Sequence, residues 1–392
     1  MSEFKLDFQD TATAFADKSD SELREKHRIF KMMNSPTMVA LGTRATIVAL
    51  KLGLPISGII KHTVYEQFCG GETIEECSRA IEKLGRSKIG TILDYSVEGK
   101  SEEEDFEHTK DEIIRTIERA KDDPRMPFSV FKVTGIAPLG TLEKVSAGIE
   151  LPEKSKFKWQ RIQSRVNEIC EFAHRVGQPV FIDAEDYHIQ EAIDRLAAAM
   201  MEKYNAEKPL VYNTAQLYRK DRLEFVRRSH AEARANGYFY GIKLVRGAYM
   251  EKERERAEEM GYPSPIQETK EDTDRDYDAA VEYCLDNIED LSMVAATHNE
   301  TSTHLLVRRM RERDLPRDHP HIHFSQLYGM SDNLSYVLAK NGYNVSKYVP
   351  YGPVRDAMPY LIRRAQENTA VAGQVSRELD LIERELRRRR NS

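Results

Sequence analysis

The sequence predicts a (β/α)₈ barrel preceded by a helical arm, and three observations carry that expectation. Beyond residue 86, short apolar runs rich in Val, Ile, Phe and Tyr recur about eight times. Amphipathic helical text separates nearly all of them, which is the rhythm of parallel strands joined by crossover helices. Polar residues gather at the C-terminal end of run after run, where barrel enzymes carry their sites.

The elements follow in order. Ser19-Asp20-Ser21 reads as a helix cap before SELREKHRIFKMM, and Pro36 opens a second apolar helix that Gly53 and Pro55 end. Residues 1–86 are therefore read as a helical arm. The strand runs are GTILDYSVE (90–98), FSVFKVTG (128–135), PVFIDAE (179–185), LVYNTA (210–215), FYGIKLVRG (239–247), SMVAATHN (292–299), HIHFSQL (321–327) and VSKYVPYG (345–352). They place a barrel over 87–370 and leave a basic helical tail over 371–392. A doubly wound sheet is the alternative, but no GxGxxG follows the first run. The strand-end polar residues are Lys132, Asp183, Glu185, Asn213, Gln216, Arg246, His298, Asn299, Gln326 and Tyr348.

Composition narrows the class. The 392 residues carry a formal net charge of −6 with both signs abundant, which argues for a soluble, cytoplasmic protein and against a general nucleic-acid binder. No apolar run approaches the roughly 18 residues of a membrane span. The first ten residues lack the pattern of a secretory signal and are too acidic for a transit peptide. Cys69, Cys77, Cys170 and Cys284 show neither CxxC nor zinc spacing, so reduced structural thiols are expected. Arg387 to Arg390 read as a frayed, solvated helix end or as a contact with an anionic membrane surface.

Four chemistries compete. In YGPVRDAMPYLIRRAQEN (351–368), Tyr360, Arg363, Arg364 and Glu367 share one helical face. Two guanidinium groups beside an aromatic ring suit a carboxylate, although a solvated face with an Arg363–Glu367 ion pair is the plainer reading. His319, His321 and His323 alternate and suggest a metal site with His298 and Asp183, but His319 precedes Pro320 and falls in a loop, so structural roles are expected. Lys132 and Lys243, both read within strands, offer Schiff-base chemistry or ion pairs. A redox cofactor held without a glycine fingerprint is the fourth option.

Several motifs then resemble one family in order and spacing. KLVRGAYMEKERERA (243–257), FIDAED (181–186), YNTAQLY (212–218), VAATHNE (294–300), FSQLYGM (324–330), KYVPYGPV (347–354) and PYLIRRAQEN (359–368) are similar to motifs of the proline dehydrogenase family, in its stand-alone, eukaryote-like form. The resemblance implies a distorted (β/α)₈ barrel that holds FAD noncovalently at its C-terminal mouth. It implies oxidation of L-proline to Δ1-pyrroline-5-carboxylate, with electrons passed to a quinone-type acceptor. Carried across, Arg363 and Arg364 clamp the substrate carboxylate, with Lys132 as a third cation. Asp183 orders the polar layer, and Leu327, Tyr348 and Tyr360 wall the proline ring. Glu367 joins the clamp helix, and Tyr249 shapes the loop after the fifth strand. Lys243 sits near flavin N5, and Asp183, Asn213, Gln216, Val245, Arg246, Gly247, Ala248, Thr297, His298, Asn299 and Gln326 line the flavin. Ala215 departs from the family, which has a larger residue there.

Three expectations follow. A barrel helix normally runs down the outer wall, which would carry Arg363 roughly 20 Å from the mouth at 1.5 Å per residue. The last barrel helix is therefore expected across the mouth. Tyr348 should crowd a 4-hydroxyl group, so proline is expected over hydroxyproline. A quinone acceptor would bring the protein to the inner face of a plasma membrane, or to the mitochondrial inner membrane in a eukaryote.

Overall fold

A computed structural model describes residues 6–51, 57–97, 101–370 and 374–391. All eight expected strands form: β1 (Gly90–Tyr95), β2 (Ser129–Phe131), β3 (Val180–Ile182), β4 (Val211–Gln216), β5 (Tyr240–Val245), β6 (Leu291–Ala296), β7 (Ile322–Leu327) and β8 (Val345–Tyr351). They hydrogen-bond in the order β1-β8-β7-β6-β5-β4-β3-β2, a nearly closed eight-stranded α/β barrel. The registered pairs from β2 to β7 are parallel, as crossover helices require.

Helices α1 (Thr11–Ala14), α2 (Asp20–Met33), α3 (Pro36–Lys51), α4 (Ser57–Ile60), α5 (Glu66–Phe68) and α6 (Ser78–Arg86) form the arm. Ser19 caps α2 in a reciprocal box. Its Oγ accepts from the Glu22 amide, and its own amide donates to Glu22 Oε2 at 2.7 Å. The crossover helices are α7 (Glu103–Ala120), α8 (Leu139–Ser146), α9 (Glu153–Val176), α10 (Tyr187–Tyr204), α11 (Arg222–Asn236), α12 (Met250–Met260), α13 (Lys270–Asp286), α14 (Glu300–Glu312), α15 (Asp332–Lys340) and α16 (Met358–Ala370). The chain closes with α17 (Gln374–Arg390).

By compactness the chain divides into two units. One comprises 1–91, 96–98 and 326–392, the other 92–95 and 99–325. In the first, the arm shares a core with the C-terminal helices. Phe15, Phe30 and Phe68 pack with Met358, Leu361 and Ile382. A buried ion cluster sits in the same unit. Asp332 on α15 meets Lys26 at 2.8 Å, Lys347 at 3.0 Å and Lys18 at 3.4 Å. Its side chain and those of Lys26 and Lys347 are at most 4% exposed.

The tail differs from the frayed end expected of it. Within this unit α17 packs on α2 and α1. Arg389 donates to the carbonyls of Phe15 and Lys18 and pairs with Asp20 and Glu385, while Arg388 pairs with Glu385 at 2.7 Å. Those contacts give the last turn partners, so it has no need to fray.

In the second unit an aromatic layer fills the strand bundle. Phe128 stacks on Phe181 with ring centroids 4.5 Å apart and meets Tyr212 and His323 edge-on. Gly241 on β5 makes room for this layer, since a Cβ there would lie 2.8 Å from the Tyr212 ring and 2.6 Å from the Val211 carbonyl. Side chains alternate along a strand. The residue two beyond each aromatic, Asp183 after Phe181 and Thr214 after Tyr212, therefore faces the same way one layer nearer the C-terminal ends.

Candidate active site

The layer above the aromatics is ionic. Lys132 Nζ lies 2.9 Å from Asp94 Oδ2 and 3.2 Å from Asp183 Oδ2. Lys243 Nζ pairs closely with Asp183 Oδ1 and stands 5.2 Å from the centre of the Phe181 ring. Two ammonium groups and two carboxylates thus alternate, Asp94–Lys132–Asp183–Lys243, with no formal net charge. The arrangement follows from chain direction. β2 and β3 stop at Phe131 and Ile182, one residue before their charged side chains, so Lys132 and Asp183 sit where the backbone leaves the sheet. Lys132 accordingly lies just past its strand, not within it as expected. The Schiff-base alternative meets two lysines that are each ion-paired.

A second group forms around the loop after β5. Arg246 donates from Nε to Asp274 at 2.7 Å, from Nη1 to Thr297 Oγ1 at 2.7 Å and from Nη2 to Ser302 Oγ at 2.8 Å. Its guanidinium lies 4.2 Å from the Tyr277 ring centre. Asn299 caps α14 by accepting from the Ser302 amide. The Arg246 side chain thus ties the β5 loop to the start of α14. Gly247 adopts φ +127°, and a Cβ on it would fall 2.4 Å from the Tyr218 ring, so this bend requires glycine. Val245, Arg246, Ala248, Tyr249 and His298 are half-buried, unlike the strand interiors that precede them. Gln216 ends β4, and its buried Oε1 has no hydrogen-bond partner.

Asn213, expected beside the flavin, has its own partners. Asn213 alternates with Tyr212 and Thr214 and faces the opposite side of the sheet. Its Nδ2 donates to Asp194 of α10 at 3.0 Å, where Asp194 also pairs with Arg222 at 2.6 Å. Asn213 therefore braces the helix layer. Ala215 lies on the same side as Asn213 and is fully buried.

In the other unit, Gln326 and Leu327 end β7, Tyr348 lies in β8, and Gln326 Oε1 accepts from Ser335 at 2.7 Å. Tyr360, Arg363 and Arg364 fall on α16, with the Arg364 guanidinium 5.6 Å from the Tyr360 ring centre. Tyr348 and Tyr360 are buried, and both arginines are half-buried. The Glu367 side chain lies outside the described residues. Within its unit α16 packs on α2, α3 and α17.

The histidine series divides. His321 hydrogen-bonds the Ile288 carbonyl through Nδ1 at 2.8 Å, while His323 joins the aromatic layer, where burial pushes its imidazole down to about 3. Among the described residues no group of three or more His, Cys, Asp or Glu is arranged to hold a metal. The four cysteines are buried free thiols, and burial pushes Cys77 up to about 12. No helix among the described residues is long and apolar enough to cross a membrane.

Sequence reasoning missed two residues. Asp94 is a carboxylate inside an otherwise apolar run, and that oddity was its only signal. Asp274 lies in a helix crowded with acids, where nothing marks it as the anchor of Arg246.

Comparison with known proteins gives the family. The family model described as proline dehydrogenase matches residues 77–377. The chain is 33% identical to proline dehydrogenase 1, mitochondrial, of Dictyostelium discoideum, over 98% of this chain and 75% of that protein. It is 35% identical to the carbapenem antibiotics biosynthesis protein CarD of Pectobacterium carotovorum subsp. carotovorum, over 82% and 83%. It is 31% identical to hydroxyproline dehydrogenase of Xenopus laevis, over 98% and 90%. The fold matches proline utilization A (PutA) of Bdellovibrio bacteriovorus with a TM-score of 0.71 at 20% identity, covering 92% of this chain and 38% of that longer one. With the family model spanning most of the barrel and similarity to named dehydrogenases along nearly the whole chain, this protein belongs to the proline dehydrogenase family and is an enzyme of that activity.

Proposed function

We propose that the enzyme oxidises L-proline to Δ1-pyrroline-5-carboxylate with noncovalent FAD at the C-terminal strand ends and passes the electrons to a quinone-type acceptor. The observation that carries the reading is the neutral ionic layer Asp94–Lys132–Asp183–Lys243 at those ends. The residues present fit a flavin. Gln216 offers an orphaned buried acceptor that suits an imide N–H, and Lys243 offers a donor held in place by Asp183. The start of α14 with Arg246 suits a phosphate. Gly247, Ala248, Val245, Thr297, His298 and Asn299 complete the proposed cradle.

FAD, when bound, supplies the hydride acceptor, and the protein supplies orientation and electrostatics. Arg363 and Arg364 hold the substrate carboxylate bidentately, which fixes the distance of the reacting carbon. Lys132 offers a donor at the strand ends of its own unit, its charge balanced by Asp94 and Asp183. Leu327, Tyr348 and Tyr360 wall the ring. The substrate amine must shed its proton before or as hydride leaves, so kcat/KM rises with pH. Arg364→Lys keeps the charge but loses the planar fork, and should raise KM for proline about tenfold with a smaller change in kcat.

The hydroxyproline reading stands second because of the similarity to the Xenopus enzyme. An anaerobic visible spectrum separates the two. Bleaching by L-proline of the flavin band, at about 450 nm, supports proline. Bleaching by hydroxyproline alone moves the assignment, and a colourless protein that takes up no FAD overturns the flavoenzyme reading.

A further inference from the structure

From residue 26 to residue 65 the chain contains no Asp or Glu, although it holds 65 of them in 392 residues. Six Lys and Arg lie in that stretch: Lys26, Arg28, Lys31, Arg44, Lys51 and Lys61. The structure sorts them. Lys26 is buried on Asp332, whereas Arg28, Lys31 and Arg44 are exposed. Beside the exposed cations stand three of the eight exposed large hydrophobic side chains found among the described residues. These are Met32, Met38 and Leu41, at 45%, 54% and 66% exposure. Met38 and Leu41 sit at i and i+3 of α3, on neighbouring positions of one helical face. Thr37, Ala40 and Gly42 around them are small and exposed. α3 packs on α2 and on α16, the helix of the proposed clamp arginines.

We propose that the end of α2 and the start of α3 dock on an anionic lipid surface, with Met32, Met38 and Leu41 entering the acyl boundary and Arg28, Lys31 and Arg44 facing the headgroups. Apolar side chains flanked by cations, in a stretch free of acids, are the pattern of an interfacial helix. A second copy of the chain is the poorer occupant, because a two-fold contact would set these cations against themselves with no carboxylate from residues 26–65 to offset them. The basic tail is also poorer, since Arg388 and Arg389 already hold protein partners. The inference stands apart from the choice of substrate.

Flotation of the full-length protein tests it, with phosphatidylcholine vesicles and with vesicles containing phosphatidylglycerol. Wild type should float with the anionic vesicles and be released by salt. Met38→Glu with Leu41→Glu, and separately Lys31→Gln with Arg44→Gln, should each lower the bound fraction about tenfold or more. Arg387→Gln with Arg390→Gln should leave it unchanged, and all variants should retain dye-coupled activity. Leu41→Trp gives a reading that does not depend on loss. After subtraction of the Trp159 signal, its emission should shift to the blue on anionic vesicles. Wild type that does not float, arm variants that float normally, or an unshifted Leu41→Trp overturns the proposal. So does a concentration-dependent dimer that Met38→Glu with Leu41→Glu dissolves while vesicle binding persists.

Discussion

Asp183 is the residue on which the ionic layer turns, because it is the carboxylate both lysines share. Removing its charge leaves Lys243 beside a neutral amide and takes one carboxylate from Lys132. Breaking a buried pair from one side costs about 3–5 kcal/mol. Asp183→Asn should therefore lower the melting temperature as well as activity. Asp94→Asn takes one carboxylate from Lys132 and leaves Asp183 with both lysines. Its expected cost is that of one charged hydrogen bond, about 1.5–3 kcal/mol, read as a smaller fall in the melting temperature. Equal effects of the two substitutions on the melt would contradict the asymmetry. The residue scale also shows where a sequence stops speaking. Lys132 and Asp183 were legible because each breaks an apolar run at a strand end. Asp94 was not singled out, since its partner lies 38 positions away. The side that Asn213 faces was not legible because strand parity depends on register, and Tyr212 had to be seen inside the barrel before Asn213 could be set toward the helices.

At the scale of elements, apolar runs located all eight strands but overstated β2 and β3, whose ladders cover three residues each. The apolar text continues past the point where the chain turns out of the sheet, and only the first charged residue marks the exit. The loop after β5 shows the same limit. Its glycine is visible in Arg246-Gly247-Ala248, but the reason for it is the Tyr218 ring that leans over the backbone. Gly247→Ala should cost about 1–3 kcal/mol for the strained φ alone, and more for the contact with the ring. Adding Tyr218→Ala clears the space without relieving the backbone, so the double variant should recover only part of the loss. A thermal melt in which Tyr218→Ala restores full stability would show that crowding alone demands glycine here. One in which Gly247→Ala matches the parent would remove both arguments.

At the scale of the whole unit formed by the arm and the C-terminal helices, Asp332 joins segments that are distant in sequence: Lys18 and Lys26 from the arm and Lys347 from β8. Burial alone would raise its carboxyl, but the three lysines overcome that and hold it well below the usual carboxylate range. A carboxyl whose folded pKa is depressed contributes stability that is complete above its unfolded value of about 3.9 and is lost as pH falls toward the folded one. Asp332→Asn should therefore melt well below the parent at neutral pH, by about 3–5 kcal/mol, because it leaves buried ammonium groups short of a carboxylate. Below about pH 4 the parent begins to lose the same interaction, and the two melting curves should converge. The arm is then a structural partner of the C-terminal helices and not an appendage, since two of the three cations around Asp332 belong to it. Lys18→Ala with Lys26→Ala should reproduce the neutral-pH loss from the other side of the interaction. Combined with Asp332→Asn, it should cost much less than the sum of the separate effects. Additive losses in that cycle, measured by denaturant melts at neutral pH, would show that the cluster does not join the arm to the helices.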